Sequence, residues 1–438
     1  MLQSIDNKRD YIDNQSMNNM TLKNPAAPLP LFDTMAFIKN QTAEFLDLPE
    51  KYVEDFNQAL SFLKCYVGSV GTFNSYRRDV ERLLHWCWNI AHKSLKEIKR
   101  DDIEAFITFC IKPPKTWIGF VKAPRFIAKD GIRCPNPEWR PFLVTLSKSD
   151  IRHGTKPDIK DYEFTQGSIK ELFAIMSSFY NYMLQEEYLF MNPVALVRQK
   201  SKFIRKEQGF SKIRRLSAMQ WDYVIKTAQE MTSRHGELYE RILFMLSVLY
   251  GMYLRISELV ASDRWNPQMK HFYKEQDGSW WFVTVGKGNK QRQIAVSDAM
   301  LEALKRWRTY LGLPPLPTVA DSSPLLPKIK GKGPITNTTY VRKLIQKAFD
   351  NAALALVEKG LKEEADALME ATVHWLRHTG ISDDVKIRPR EHVRDDAGHS
   401  SSAITDKYID VELKERHASA RTKKITGKIS PNNISTLS

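Results

Sequence analysis

Cysteine is scarce in this chain. Cys65, Cys87, Cys110 and Cys134 are the only four in 438 residues, and no pair has the C-x-x-C spacing of a zinc or redox site. Reduced thiols are the expected state, and nothing in the cysteine pattern suggests a disulfide framework. Long apolar runs are missing too: no window approaches a membrane span, and residues 1–24 are polar where a secretory leader would carry an apolar centre. No internal repeat is visible. These lacks predict a cytoplasmic protein with no membrane partner. Acid is also in short supply, with 51 Asp+Glu against 66 Lys+Arg and a formal charge of +15. That excess favours a polyanionic partner, nucleic acid before an anionic membrane. What is present, 42% hydrophobic and 11% aromatic residues, suffices for the cores of two domains.

Residues 1–40 are rich in Asn, Pro and Lys with little periodicity and read as a mobile arm. Helical patterning then begins. With Thr72 as its cap, a helix would place Phe73, Tyr76, Val80, Leu83, Leu84 and Cys87 on one face. Arg77, Arg78 and Arg82 fall off that face, either solvated or against phosphate; Arg77 and Arg78 are the candidates for DNA contact. Ser168 and Glu171 have capping-box spacing before a stripe from Ile169 to Met183, and Asn192-Pro193 is expected to end the unit. Between these helices, residues 112–166 read as an insertion whose prolines, aromatics and basic residues more simply pack a loop onto its own domain than serve DNA. Residues 198–215 hold eight Lys or Arg against the single acid Glu207. This is a basic linker able to track a phosphate backbone, with Lys200, Lys202, Arg205 and Lys206 as its candidate contacts.

Three later segments carry chemistry. Arg255 follows an apolar helix expected around residues 238–250 and precedes Glu258 by three, a spacing that usually means an ordinary ion pair. Trp280–Val285 and residues 291–296 read as a β-hairpin whose tip carries Lys287. His374-Trp375-Leu376-Arg377-His378 comes next, then Gly398-His399, then Tyr408. His374 and His378 are four apart, as zinc ligands on a helix can be. Trp375, however, replaces the glutamate that an H-E-x-x-H metalloprotease requires.

Taken in order, Leu254-Arg255-Ile256-Ser257-Glu258-Leu259, Gly286-Lys287-Gly288-Asn289-Lys290, the H-x-x-R-H box, and Gly398-His399 with a tyrosine nine residues later resemble the phage-integrase family of tyrosine recombinases. The resemblance spans most of residues 216–410 and, more loosely, residues 44–200. Two departures stand out: Met252-Tyr253 replaces the usual Thr-Gly, and residues 379–397 are more charged, with Arg388, Pro389 and Arg390 where an apolar helix is common.

The resemblance implies a mostly α protein with a small β-sheet. An α-helical, SAM-like core-binding domain over residues 41–197 would be followed by an α+β catalytic domain over residues 216–411 and a tail over 412–438. It implies Arg255, Lys287, His374, Arg377, His399 and the nucleophile Tyr408 as catalytic residues, with no cofactor and no metal. Arg255 and Arg377 would clamp the phosphodiester. His374 would accept the tyrosine proton, and Lys287 would protonate the 5′-oxygen that leaves as a 3′-phosphotyrosyl bond forms. The implied partners are double-stranded DNA, a homo-tetramer on two DNA sites passing through a Holliday junction, and accessory DNA-bending or directionality proteins. The implied task is integration, excision or cointegrate resolution of a mobile element. The rivals are a type IB topoisomerase, an inactive DNA-binding relative, and a metallonuclease built on His374, His378 and His399.

Overall fold

A computed structural model describes residues 25–43, 48–129, 131–152, 154–199, 202–204, 214–286, 289–406, 408 and 420–421. The chain divides into two compact units, Met1–Gly209 and Phe210–Ser438. Among the described residues no helix is long and apolar enough to cross a membrane.

The first unit is built on α1 (Glu50–Lys64), α2 (Val70–Trp86, continued by a π-turn over Cys87–Ala91), α3 (Arg100–Ile111), α4 (Lys148–Arg152), α5 (Gln166–Gln185) and α6 (Pro193–Gln199). The apolar stripe expected on α2 is buried except for half-buried Tyr76, and Ser69 rather than Thr72 precedes the helix. Likewise α5 starts earlier than Ser168, because the Thr165 hydroxyl accepts from the Ser168 amide. Pro193 opens α6 rather than closing the unit, as suits a residue whose missing N–H costs nothing at a first helical position. The insertion carries two small ladders, β1 (Ile118–Gly119) with β4 (Phe142–Leu143) and β2 (Phe126–Lys129) with β3 (Ile132–Pro135). Trp117, Trp139 and Phe142 are buried within this unit, the plainer of the two readings of that segment.

Residues 25–40 correct the expectation of a mobile arm; residues 1–24 lie outside the described residues. Leu31, Phe32 and Ile38 are buried, and Phe32 stacks on Phe56. Polar anchors fix their backbone. The buried Glu81 carboxylate accepts from the Leu31 and Phe32 amides at 2.6 and 3.2 Å, and also holds Arg125 from the insertion. Arg133 grips Asp33 through two bonds of 2.6 and 2.7 Å. Apart from its three apolar anchors the segment has no periodic pattern, so its order was invisible in sequence.

The second unit begins with α7 (Ala218–Thr232), opened by a reciprocal cap between Ser217 and Gln220. Next comes α8 (Gly236–Gly251), which packs against α7, α9 (Asp298–Tyr310) and α12 (Val373–Asp384). Packing on several sides explains why α8 is apolar nearly all round. A three-stranded antiparallel meander, β5 (Phe272–Lys274), β6 (Trp280–Val285) and β7 (Gln291–Ala295), pairs Phe272 with Phe282 and Phe282 with Ile294. The expected hairpin is therefore present, although Lys287 and Gly288 at its tip lie outside the described residues. The remaining helices are α10 (Thr338–Glu358), α11 (Lys362–Met369), α13 (Arg390–Ala397), which packs on β7, and α14 (Ser402–Asp406).

Glu81→Ala should leave Arg125 without its counter-charge and free two backbone amides. The expected cost is about 3–5 kcal/mol, read from denaturant midpoints, with new protease cleavage inside residues 25–40.

Candidate active site

The site grows from the end of α8. After Gly251 the chain must turn sharply, and it does so at Tyr253, whose φ of +51° is left-handed. For a residue with a Cβ this backbone costs about 1–2 kcal/mol. The turn delivers Arg255 as the cap of a short 3-10 turn, Ile256–Glu258. The Glu258 carboxylate folds back to accept from the Arg255 amide at 2.9 Å and its guanidinium at 3.1 Å. From β7, Arg292 adds a bidentate pair to the same carboxylate at 2.8 and 2.8 Å. Glu258 is only 1% exposed. Burial pushes its carboxyl up, but the Arg292 and Arg255 bonds outweigh that and hold it below the usual carboxylate range.

On α12, Arg377 is buried and donates to the Tyr253 carbonyl and, at 2.6 Å, to the Ala397 carbonyl. It thereby ties the turn after α8 to the end of α13. Burial first, then the charges of Arg255 and Arg292, disfavour its own charge, a cost that an anion in the cavity would relieve. Helix α12 comes close enough to α8 that a Cβ on Gly380 would lie 2.0 Å from the Tyr250 carbonyl oxygen. Gly398 is needed twice over: its φ is +64°, and a Cβ there would lie 2.8 Å from Arg292 Cδ.

Tyr408 is buried against Tyr253, Ile381, Val393 and Ala397. Its hydroxyl hydrogen-bonds Nδ1 of His378 at 2.7 Å, and its ring stacks on His399 at 5.7 Å. His399 in turn contacts the Thr405 hydroxyl at 2.9 Å. Burial pushes the Tyr408 phenol up, opposed by Arg377 and Arg255. Burial, reinforced by the nearby arginines, lowers His374, and lowers His378 and His399 each to about 4, so all three imidazoles are neutral at pH 7.

One cavity is lined by Arg255, Arg292, His374, Arg377, His378, His399 and Tyr408. Five of the six residues expected from sequence are thus brought together, and the sixth, Lys287, lies outside the described residues. The proton acceptor expected for the tyrosine was His374, but the group bonded to the hydroxyl is His378. Among the described residues no three His, Cys, Asp or Glu side chains gather as metal ligands.

The expected DNA contacts in the first unit need correction. Arg77 is buried, donating to the Asp33 carbonyl and to Asn74. Arg82 caps the Pro141 carbonyl and stacks on Phe142. Sequence periodicity could not show that residues 25–40 and the insertion would cover that side of α2. Arg78 is committed to Asp79 and Glu171. Lys202 is exposed and pairs with Glu104 at 2.8 Å; Lys200, Arg205 and Lys206 lie outside the described residues.

Glu258 was legible as a routine ion pair and part of the Arg255 motif, Arg292 carried no signal beyond its strand, and His378 was legible as a metal candidate and the last residue of the H-x-x-R-H box, with no catalytic role given to any of the three. The two departures from the family pattern meet in space. The Tyr253 hydroxyl bonds Asp384 and accepts from Arg388 at 3.0 Å, while Arg388 also reaches Asp396 at 2.6 Å. Asp396 in turn accepts from the Ala295 amide, and its carbonyl holds Arg292. The charged stretch thus fastens the strained turn that positions Arg255 and Arg377.

Two arginines on one buried carboxylate, with a third arginine and a phenol lining the same cavity, make a positively charged site suited to an anionic ester. Residues 214–415 match the phage integrase family. A tyrosine recombinase XerC from Chlorobaculum parvum is 24% identical over 275 residues, covering 60% of this chain and 73% of that protein. Another XerC, from Treponema denticola, is 25% identical over 290 residues, covering 62% and 82%. Among solved structures, a XerH recombinase bound to its palindromic difH substrate covers 89% of this chain and 93% of its own, at 16% identity and a TM-score of 0.47. Residues 214–415 thus form a region of the phage integrase family, and the chain is similar to tyrosine recombinases, enzymes of site-specific recombination that cleave and rejoin DNA.

Arg388→Ala leaves Asp384 and Asp396 without their shared cation. Stability should fall by about 1–3 kcal/mol in thermal melts, and DNA cleavage should fall more steeply than DNA binding measured by gel shift.

Proposed function

We propose that Tyr408 attacks a DNA phosphodiester held between Arg255 and Arg377, forming a 3′-phosphotyrosyl bond and releasing a 5′-hydroxyl. The observation that carries this is the convergence of both guanidinium groups and the Tyr408 hydroxyl on one cavity. Attack builds negative charge on the non-bridging oxygens. Planar, permanently charged donors fixed beforehand by Glu258, Tyr253 and Ala397 suit that charge, because they need no reorganisation as it develops. His374 and His399 line the same cavity and would contact the phosphate. The broken bond's energy is conserved in the phosphotyrosine, so a 5′-hydroxyl from another strand can reverse the step without ATP. Lys287, on the β6–β7 hairpin, would protonate the departing 5′-oxygen.

The working assembly in this reading is a homo-tetramer on two DNA sites in the cytoplasm, passing through a four-way junction and assisted by accessory DNA-bending or directionality proteins. Residues 41–197 and the catalytic unit would each grip DNA, residues 198–215 would follow the phosphate backbone, and the tail after Tyr408 would couple neighbouring protomers. The insertion at residues 112–166 favours a mobile-element enzyme over a housekeeping one.

Tyr408→Phe removes the attacking oxygen and little else. Covalent protein–DNA adducts on a nicked suicide substrate should disappear while binding stays near the wild-type level; adducts from the variant would assign the attack elsewhere. Lys287→Ala should slow cleavage by about 10²–10⁴-fold. A 5′-bridging phosphorothioate, whose sulfur leaves without a proton, should restore the Lys287→Ala rate and leave Lys290→Ala unaffected.

A further inference from the structure

We infer that His378, and not His374, is the group that takes the proton from Tyr408 during attack and returns it during rejoining. This rests on Tyr408 being the nucleophile. The geometry is direct: Nδ1 of His378 lies 2.7 Å from the phenolic oxygen, inside hydrogen-bonding range for a proton in flight. Both residues are held in place from several sides. His378 lies on α12, one residue beyond Arg377, which is bonded to the Tyr253 and Ala397 carbonyls. Tyr408 is gripped by Ile381, Val393 and Ala397 and stacked on His399.

The protonation states run in the required direction. Burial, with the Arg377 charge behind it, pushes His378 down to about 4, while burial raises the phenol. At neutral pH the imidazole therefore lacks a second proton and the phenol keeps its own, so the bond runs from the tyrosine O–H to Nδ1. The tautomer that accepts there carries its hydrogen on Nε2. His399 is committed to Thr405 through its own Nδ1.

The step balances within the residues named. As the Tyr408 oxygen bonds to phosphorus, its proton passes to His378 Nδ1, the bond from phosphorus to the 5′-oxygen breaks, and that oxygen takes a proton from Lys287. The imidazolium so formed stands beside the phosphate anion, whose charge offsets both the burial and the Arg377 charge that keep the ring neutral in the free protein. In rejoining, the 5′-hydroxyl gives its proton back to Lys287 as its oxygen bonds to phosphorus, and the same imidazolium reprotonates the departing phenolate. One residue thus serves both directions, and its loss should slow cleavage and ligation alike without moving their equilibrium.

The test uses the full-length protein under single-turnover conditions on a nicked suicide substrate, with ligation measured separately. His378→Ala should slow both directions by about 10²–10⁴-fold, the usual worth of general acid–base catalysis. His378→Asn keeps an acceptor near the hydroxyl but no base, and should be equally slow; it also serves should the alanine variant fail to fold. The decisive arm replaces Tyr408 with a fluorinated tyrosine, whose more acidic phenol needs less help in losing its proton. That replacement should speed His378→Ala or His378→Asn several-fold more than it speeds the wild type or His374→Ala. A purely structural role for His378 would show no such selective gain. Wild-type rates in the His378 variants, or equal fluorotyrosine effects in all backgrounds, would overturn the assignment. Adducts formed by Tyr408→Phe would instead overturn the nucleophile on which it rests, so the two failures are distinguishable.

Discussion

The arrangement around the cavity depends on a carboxylate that water scarcely reaches. Glu258 receives Arg255 through backbone and side chain, and Arg292 through a two-point pair. A buried carboxylate with one partner would be a liability; with two arginines and a backbone amide its lone pairs are satisfied and its charge is more than matched. The excess is the functional point. Arg255, Arg292 and Arg377 together outnumber Glu258, so the cavity keeps a positive field that burial makes strong and that the protein does not itself neutralise. A phosphodiester fits that charge, and the histidines beside it are neutral first because they are buried and then because of the same field.

Holding like charges together requires stiff walls. Here they come from close backbone contacts and from the charged stretch after α12. Gly380 lets α12 approach α8, Gly398 lets α13 turn beneath Arg292, and Arg377 links both edges through two carbonyls. The turn at Tyr253 would be easier with glycine. This chain instead keeps a left-handed tyrosine and uses its hydroxyl, fastened by Asp384 and Arg388, to brace the arginine turn against Asp396 and the hairpin. Strain at one residue is offset by a polar network that glycine could not join.

Much of the catalytic unit was legible because its signals are local. The apolar run that became α8, the alternating strands of the hairpin and the order of the four motifs each depend on residues near one another in the chain. Misreadings arose where distant segments cover a surface. Arg77 looked solvent-facing because nothing within a helical turn predicts Asp33 lying over it, and residues 25–40 looked loose because their anchors, Glu81 and Arg133, are far along the chain. Helix starts slipped by a few residues for a smaller reason, since Ser, Thr and Asn neighbours compete for the capping position.

By itself the sequence determined the resemblance to the phage integrase family, the mostly helical character, and five of the residues that line the cavity, Arg255, His374, Arg377, His399 and Tyr408. Side-chain chemistry and spacing suffice for that, because a phosphate-handling constellation draws on few residue types. Tertiary structure alone decided who touches whom: that Glu258 serves two arginines, that Tyr253 and Arg388 meet, and that the Tyr408 hydroxyl faces His378 rather than His374. The physical reason is distance along the chain. His378 and Tyr408 are 30 residues apart, and helical periodicity dies out within a few turns. Which of two histidines one turn apart on a helix reaches a hydroxyl on another segment is then set only by how those segments pack.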